Sequence, residues 1–381
     1  MRQLPLTLVP VIKFRYRGVE VDLTMARLTT AATIPETEEF LLSEKVTQGM
    51  DPRCLRSLNG YRASCQILEL VPNLEVFRQS LRVVKVWARK QGLYSTVLGF
   101  LGGASWTLLV VKACQLSAAE RGEDSLTFTL HTFFRVFSDW EWPRPVYIKV
   151  VESEGSGWDW GHCMPVITPT FPHMNSAVNV SRSNCDLIQA KCREAFRRLQ
   201  SIRWKAGVWA DFFTPNDFFV EFRHYLVISA TCQGDSRLWF GAVESKLRHL
   251  VSHMMYNHRV ETVRIWPQPF MEEGGGSYRQ MWIMGVRMNV PVSPKFFQEP
   301  VFNFRDLCLA DAVRMSLVSA HSFTFQVAGD FLSPGQLRAR LARHVMEAVS
   351  RPLGRRQPVC SRKISHRERL VFPQCAGQAP A

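Results

Sequence analysis

Residues 81–106 combine a helical pattern, a glycine that ends it and a second apolar run. Val83, Val84 and Trp87 recur at the spacing of one helix face, and an apolar face of this kind has to be buried against other elements. Gly92 follows the last turn and predicts the end of the helix, because glycine readily adopts the backbone conformation found after helix ends. This stretch is therefore predicted to belong to the core of a helical domain.

The same predicted helix carries cations that its apolar face does not need. Arg82, Lys85 and Arg89 fall at i, i+3 and i+7 and share another face. Gly102 and Gly103 follow and allow a ligand to approach the backbone closely. A basic stripe beside a Gly-Gly turn suits a triphosphate. The stripe is also typical of an ordinary amphipathic helix with a solvated basic face, so both interpretations stay open on this evidence.

Composition and charge limit the class of protein. A chain of 381 residues is long enough for two or three domains of roughly 100–200 residues each. Its net charge of +14 favours a polyanionic partner, because Lys and Arg that neutralise phosphates release counterions from nucleic acid. Ten scattered cysteines without a C-x-x-C pair argue against zinc and against a secreted disulfide framework. The uncharged run at 97–111 is shorter than the roughly 20 apolar residues of a membrane span.

The N-terminal residues predict a β-hairpin. Residues 9–14 and 19–25 alternate between apolar and polar side chains around the turn at Arg17 and Gly18. Asp22 falls on the polar side of the second strand, together with Glu20 and Thr24. It would bind Mg²⁺ only if other carboxylates or substrate phosphates converged with it.

The rest of the chain divides near Pro215. Before this point we expect a turn at Asn59-Gly60 and helices at 72–91, 104–116, 127–141 and 185–206. After it the expected order is a strand at 218–230, a helix at 236–256, strands at 259–266 and 279–291, a helix at 304–319 and a strand at 322–327. This β-α-β-β-α-β order is typical of ferredoxin-like and RRM-like sheets, a fold that hosts many functions. A helix to about residue 350 and a basic, disordered tail are expected to follow.

Eight stretches occur in one order along the chain: VPVIKFRYRGVEVDLTMARL, RCLRSLNGYR, LVPNLEVFRQSLRVVKVWARKQGLYSTVLGFLGGASW, FSDWEWPRP, MPVITPTFP, NSAVNVS, FFVEFRHYLVI and GAVESKLRHLV. Together they closely resemble the eukaryotic nuclear poly(A) polymerases over most of residues 9–330. The resemblance implies an α+β protein with partial nucleotidyltransferase strands, a helical central domain and an RRM-like, ferredoxin-like C-terminal domain. The expected boundaries are 1–28 for the remnant of the palm sheet, 29–213 for the helical domain, 214–333 for the RNA-binding domain and 334–381 for the tail.

The resemblance also implies a function. Its members transfer AMP from ATP to RNA 3′ ends in mRNA polyadenylation and use Mg²⁺ or Mn²⁺. The expected partners are ATP, the RNA 3′ end and mRNA 3′-processing factors, without a membrane, and the expected location is the nucleus.

Site residues carry over by position. Asp22 matches the third of three carboxylates that the family's metal chemistry needs, which makes it the expected catalytic residue and metal ligand. The residues expected to bind the nucleotide are Asn59, Lys85, Tyr94, Gly103 and Ala104, and Arg89, one turn after Lys85, is an additional candidate for a phosphate contact.

Two departures from the family pattern affect the expected activity. The sequence contains no D-x-D, the family's source of the other two carboxylates, and Thr96 stands where the family has Asn. We therefore expect this chain by itself to bind RNA, and ATP weakly, but to turn over little. Three interpretations stay open: an enzyme whose N-terminal half is encoded upstream, a non-catalytic RNA-binding or partner-binding protein, and a relative that acts on another nucleotide or acceptor.

Overall fold

The computed structural model describes residues 2–4, 9–29, 38–121, 125–150, 161–201, 209–214, 218–233, 237–274, 277–291, 293–314 and 326–337. The architecture is α+β, as predicted: a small N-terminal sheet, a helical region and a C-terminal sheet with two long helices. The predicted basic tail after residue 337, including most of the helix predicted to residue 350, lies outside the described residues. Within them, no helix is both long and apolar enough to cross a membrane.

The N-terminal sheet confirms the predicted hairpin. Strands β2 (Val11–Tyr16) and β3 (Val19–Thr24) are antiparallel, and a short strand, β1 (Arg2–Leu4), pairs with β2. Arg17 and Gly18 both have positive φ, the conformation of a tight hairpin turn. The register pairs Phe14 with Val21 on one face of the hairpin and Lys13 with Asp22 on the other, so Asp22 lies on the polar face.

Eight helices precede the C-terminal sheet within the described residues. They are α1 (Glu38–Leu42), α2 (Pro52–Leu70), α3 (Leu74–Lys90), α4 (Gly103–Arg121), α5 (Leu126–Ser138), α6 (Arg182–Ser201), α7 (Trp209–Phe212) and α8 (Phe218–Glu221). The helices predicted at 72–91, 104–116 and 127–141 are confirmed as α3, α4 and α5. The predicted helix at 185–206 corresponds to α6, and residues 202–206 are not described.

The predicted turn at Asn59-Gly60 is wrong, because both residues lie inside α2. Asp51 caps this helix by accepting hydrogen bonds from the backbone N–H groups of Arg53 and Cys54, and Pro52 occupies the first turn, where a missing N–H costs little. The side chains of Asn59 and Arg62 are buried on one side of α2 and bind carbonyl oxygens of distant segments. These tertiary contacts override the local turn preference of Asn-Gly.

Helix α3 ends as the sequence predicts. Asn73 caps its start, and Gly92, with a φ of 68°, follows its end. Leu93 N–H donates to the Ala88 carbonyl over 2.8 Å and Gly92 N–H donates to the Arg89 carbonyl over 3.1 Å, which is the hydrogen-bond pattern of a glycine-terminated helix. The chain is thereby turned sharply after the basic stripe, and the following loop folds back beside it.

The C-terminal sheet has the predicted β-α-β-β-α-β order with one additional strand. Its strands are β4 (His224–Gln233), β5 (Val260–Ile265), β6 (Phe270–Gly274), β7 (Ser277–Met288) and β8 (Gln326–Leu332), and its helices are α9 (Arg237–Met255) and α10 (Gln298–Arg314). The strand order is β5-β7-β4-β8, all antiparallel, and β6 pairs with the same edge of β7 beyond β5. This arrangement is ferredoxin-like.

Three elements of this region differ from the sequence prediction. The strand expected at 218–230 begins only at His224, because residues 218–221 form α8, in which Phe218 packs on Phe222 with ring centroids 5.5 Å apart. Helix α10 begins six residues before its predicted start at 304, and residues 315–319 are not described. Strand β8 spans 326–332 instead of 322–327, and residues 322–325 are not described.

Both faces of the central strands are buried. Leu226 and Ile228 of β4 join the core formed with α9, whereas Tyr225 and Val227 point to the other face, where Phe218 and Trp266 cover them. Trp282 and Ile283 of β7 divide in the same way. The middle of this sheet is therefore not an open platform on either side.

The helical region and the C-terminal sheet are joined at the end of α3. Arg264 of β5 is only 3% exposed, is ion-paired with Glu221 at 2.7 Å and donates to the Gln91 carbonyl at the end of α3. The Gln91 side chain donates to the Thr214 carbonyl over 2.9 Å. The end of the basic helix is thus fixed against the C-terminal region, and the domain boundary at 213/214 stays a prediction.

Candidate functional site

Three of the sequence-predicted residues meet at the start of α4. A Cβ atom built on Gly103 would lie 3.0 Å from the Tyr94 hydroxyl and 4.0 Å from Lys85 Nζ. The first N–H groups of an α-helix have no partner within the helix and carry its positive dipole end, so they attract anions. The ammonium group, the phenol and this helix start therefore lie close together, and all three can donate hydrogen bonds to an anion.

Arg89 joins this group through Tyr94. Its guanidinium carbon lies 4.6 Å from the centroid of the Tyr94 ring, within the range of a cation–π contact. Burial and the neighbouring charge of Arg89 lower the pKa of Lys85 from its ordinary value. Two cations are thus held close together at a partly buried place, an arrangement that a bound anion would stabilise.

Ala104 is the second residue of α4 and is exposed, so its backbone and methyl group are accessible at the same helix start. The helix is anchored by Ser105, whose hydroxyl donates to the Ser176 carbonyl over 2.9 Å. Ala104 therefore lies beside Gly103 on the side open to solvent, as a residue lining a pocket would.

The loop between α3 and α4 is held by asparagines from another segment. Asn184 donates to the carbonyls of Leu98 and Gly99 at 3.2 and 2.8 Å, and Asn179 donates to the Thr96 carbonyl at 3.2 Å. The guanidinium of Arg248, on α9, donates to the Oδ1 atom of Asn179. A chain of hydrogen bonds thus runs from the C-terminal region to the loop that carries Tyr94.

Two glycines allow this loop to pack closely. Gly99 has a φ of 78°, and a Cβ there would lie 2.9 Å from the carbonyl oxygen of Asn179. A Cβ on Gly102 would lie 2.4 Å from a methyl group of Thr96. Thr96, which stands where the resemblance led us to expect Asn, therefore packs against Gly102 in the turn that leads into α4.

The described hydrogen bonds of Asn59 do not involve Lys85, Tyr94 or Gly103. Its side chain is buried, donates to the Pro172 carbonyl over 3.2 Å and accepts from the Thr170 hydroxyl over 2.5 Å. Both ends of its amide bind the segment around residue 170, so the described contacts show Asn59 fixing that segment to α2. Its contact with a nucleotide stays a prediction.

Asp22 lies in the N-terminal sheet, where its carboxylate is ion-paired with Lys13 at 3.0 Å and its side chain is 57% exposed. The described residues contain no group of three or more His, Cys, Asp or Glu side chains that could hold a metal ion. A divalent cation is commonly held by one or two carboxylates together with substrate phosphates, so Asp22 would need such partners in order to bind one. The described residues do not form a two-metal centre by themselves.

Sequence reasoning missed Asn179, Asn184 and Arg248 as residues that shape the site. Each lies in or beside a stretch that carries the resemblance, since Asn179 belongs to NSAVNVS and Arg248 to GAVESKLRHLV. A buried or loop-bound asparagine leaves no periodic signal, so only the non-local contacts reveal its role.

Comparison with known protein families defines the class of this protein. The model of the poly(A) polymerase nucleotidyltransferase domain matches residues 1–71, that of the central domain matches 76–215, and that of the predicted RNA binding domain matches 217–277. The class is therefore that of the nucleotidyltransferases, joined here to an RNA-binding type of domain.

Individual relatives agree with this class. The chain is 36% identical over 272 residues to a poly(A) polymerase of Dictyostelium discoideum, 36% over 258 residues to poly(A) polymerase pla1 of Schizosaccharomyces pombe and 38% over 255 residues to nuclear poly(A) polymerase 4 of Arabidopsis thaliana. The aligned part is 69%, 65% and 64% of this chain and 33%, 44% and 34% of the respective relative. The chain belongs to the poly(A) polymerase family, and it spans less than half the length of these relatives.

Proposed function

We propose that this chain binds ATP and RNA as part of a polynucleotide adenylyltransferase, which transfers AMP from ATP to RNA 3′ ends. The observation that carries the proposal is the meeting of Lys85 Nζ and the Tyr94 hydroxyl at the Gly103 start of α4. A lysine, a phenol and a helix start at one position suit a nucleoside triphosphate, since phosphates need cations and N–H donors and the base and sugar need a stacking or hydrogen-bonding group.

Each residue has a distinct role in this proposal. Lys85 and the N–H groups of α4 neutralise and orient the triphosphate, Tyr94 contacts the nucleoside, and Arg89 orients Tyr94 from its ring face. Because Gly103 has no side chain, the Tyr94 hydroxyl and Lys85 Nζ can approach the helix start, and Ala104 follows there with only a methyl group. Asn59 would reach the nucleotide only after giving up its contacts with Thr170 and Pro172.

Mg²⁺ or Mn²⁺ supplies charge neutralisation to phosphoryl-type transfer when it is bound. Asp22 is the proposed protein ligand of this ion, and its ion pair with Lys13 would have to open for that purpose. Because the described residues contain no group of three metal-ligating side chains around Asp22, we expect the purified chain to bind ligands and to turn over little.

RNA is the proposed polymer substrate because the net charge is +14 and the C-terminal residues match a family of RNA-binding domains. Nuclear location is proposed because one relative is named nuclear poly(A) polymerase 4. Association with mRNA 3′-processing factors is proposed from the family resemblance alone. The second candidate function is a non-catalytic RNA-binding protein, which the isolated position of Asp22 favours.

Calorimetric titration of the 381-residue chain with ATP, GTP, CTP and UTP tests the nucleotide site. We expect ATP to bind in preference to the others and the Lys85→Ala variant to lose most of that binding. Arg78→Ala is the matched control, because Arg78 is an exposed cation two turns earlier on α3. Equal ATP binding by the wild type and Lys85→Ala would contradict the proposed site.

Incubation of the same chain with end-labelled RNA, ATP and Mn²⁺ separates the two candidate functions. RNA binding without extension agrees with the expected low turnover, and restored extension after addition of a carboxylate-bearing N-terminal domain from a relative supports the adenylyltransferase. Absence of extension in that reconstituted mixture, with RNA binding intact, supports the non-catalytic function.

A further inference from the structure

The C-terminal sheet does not offer its central strands to RNA. RRM domains stack bases on aromatic side chains of an open sheet face. Here Tyr225 and Val227 on one face are covered by Phe218 and Trp266, and Leu226 and Ile228 on the other face are buried against the helices. An RNA strand bound by this region therefore needs a different surface.

Helix α9 has an outer face that carries one cation, two histidines and an aromatic ring; burial and the charges of Arg248 and Lys246 lower the pKa of His249 and favour its neutral form. Arg248, His249, Ser252 and His253 recur at i, i+1, i+4 and i+5, and Tyr256 follows at i+8, one residue past the helix end. All of them are exposed except Arg248, which is partly exposed. This set of five residues is called the α9 stripe. It contains no carboxylate, and the only acid within α9 is Glu244.

Tyr256 is the most exposed large hydrophobic side chain among the described residues, at 91%. The turn that carries it is nonetheless fixed, because Asn257 Oδ1 accepts from the Arg259 N–H at 3.1 Å and Asn289 binds the carbonyls of His258 and Arg259 at 2.8 Å each. A ring held out into solvent on a fixed turn is ready to stack with a base at little cost in conformational entropy.

The carboxylates near the α9 stripe are occupied or partly buried. Asp311 of α10 is ion-paired with Lys246 at 2.6 Å, and Glu261 of β5 is ion-paired with Arg287 at 3.4 Å. Glu244 is partly buried, and burial raises its pKa, which disfavours its charged form. The stripe therefore presents the Arg248 cation and two histidine rings without an acid of its own.

The α9 stripe begins beside the loop between α3 and α4 that carries Tyr94. Arg248 binds Asn179, which binds the carbonyl of Thr96, two residues after Tyr94. At about 1.5 Å of rise per residue, Tyr256 lies roughly 12 Å farther along the axis of α9. An RNA strand with its 3′ end at the proposed nucleotide site can therefore run along α9 from Arg248 toward Tyr256.

We propose that the α9 stripe is a binding track for single-stranded RNA, with Arg248 near the 3′ end at phosphates and the Tyr256 ring stacked on a base farther upstream. This inference rests on the proposed RNA-binding function and assigns it a surface. The stacking is independent of base identity, because every base has a flat aromatic face.

Fluorescence anisotropy with 5′-labelled oligoadenylate tests the track without requiring catalysis. We expect Tyr256→Ala to weaken binding by roughly tenfold, the size of one lost base–aromatic stack. Tyr256→Phe keeps the ring and should bind like the wild type. Phe302→Ala is the matched control, since Phe302 is an exposed aromatic residue, 51% accessible, on α10.

The possible outcomes are distinct. The track is overturned if the wild type binds oligoadenylate and Tyr256→Ala binds it equally well. It is also overturned if Phe302→Ala weakens binding as much as Tyr256→Ala does. Either result leaves the proposed RNA-binding function standing. Failure of the wild type to bind oligoadenylate overturns the RNA-binding function and the track together. Thermal melts of all variants are expected to coincide, because neither ring is buried, and a shifted melt for Tyr256→Ala would mean that the ring acts on folding instead.

Discussion

The guanidinium carbon of Arg89 lies 4.6 Å from the centre of the Tyr94 ring, so the last turn of α3 stacks on the loop that follows it. The spacing of Arg89 along α3 does not reveal this contact, which depends on how the following loop folds back. The contact of Arg89 with phosphate stays a prediction, and in the structure Arg89 also covers the face of Tyr94, the residue expected to contact the nucleoside.

Arg89→Ala is therefore expected to reduce ATP affinity severalfold by releasing the Tyr94 ring, because an exposed cation–π contact contributes on the order of 0.5–1 kcal/mol. Arg89→Lys should recover only part of the loss, since an ammonium group lacks the flat guanidinium that stacks on a ring. Calorimetry with ATP measures both. Full recovery by lysine would mean that charge alone matters, and an unaltered Arg89→Ala variant would remove Arg89 from the site.

The lowered pKa of Lys85 predicts a pH dependence of ATP binding. Burial and Arg89 disfavour its protonated form in the free protein, whereas a bound triphosphate favours that form. ATP affinity should thus fall as pH rises through the lowered pKa, below the ordinary value near 10.4. The decline should disappear in Lys85→Arg, because arginine keeps its charge throughout.

Titrations with ATP at intervals between pH 7 and 10 compare the ATP affinity of the wild type with that of Lys85→Arg. The folded state loses the Lys85 proton at a lower pH than the unfolded state does. The free energy of unfolding should therefore increase with pH between the pKa of Lys85 in the folded state and its pKa in the unfolded state. Parallel ATP-affinity curves for the wild type and Lys85→Arg would exclude Lys85 as the group that titrates.

Gly99→Ala is expected to destabilise the protein by about 2–4 kcal/mol, because alanine would have to adopt a positive φ and its methyl group would contact the Asn179 carbonyl at 2.9 Å. Gly60→Ala is the matched control. Gly60 lies inside α2 with nothing within 4 Å of its Cβ position, so alanine there should stabilise by about 0.5–1 kcal/mol. Urea unfolding measures both changes. Equal effects at the two glycines would contradict the close packing of the loop.

Asp22 is predicted to matter for metal-dependent binding and not for folding. Its ion pair with Lys13 joins two largely exposed side chains, and such pairs contribute at most about 1 kcal/mol. Asp22→Asn should leave the melting temperature nearly unchanged while removing any increase in ATP affinity caused by Mn²⁺. Glu20→Gln, on the same polar face beside Arg15, serves as the control. Loss of the Mn²⁺ effect in both variants would indicate a general charge effect.

Local sequence patterns predicted the hairpin and helices α3, α4 and α5. The alternation of the strands, the glycine that ends α3 and the apolar face around Trp87 each depend on residues that are close in sequence. Local patterns failed at Asn59-Gly60, where the buried side chains of α2 decide the conformation. The sequence predicted only the part of the candidate site that depends on neighbouring residues. The spacing of Lys85 and Arg89 identified the basic helix, but the distance from Lys85 to Gly103 depends on how the intervening loop folds back.

The Arg248–Asn179 contact joins residues 69 positions apart, which no local pattern reveals. It predicts that the C-terminal region stabilises the loop around Thr96. In Arg248→Ala, Asn179 loses the donor at its Oδ1 atom and the loop should open more often, so backbone amides of residues 95–101 should exchange with deuterium severalfold faster in the absence of any ligand. Arg305→Ala provides the control, because the contacts described for Arg305 are with Asp306 and Phe302 of its own helix, α10. Exchange that is equally fast in both variants, or unchanged in Arg248→Ala, would show that Asn184 and the glycines hold the loop without help from α9. Because the measurement uses no RNA, it also separates this supporting role of Arg248 from its place at the start of the α9 stripe.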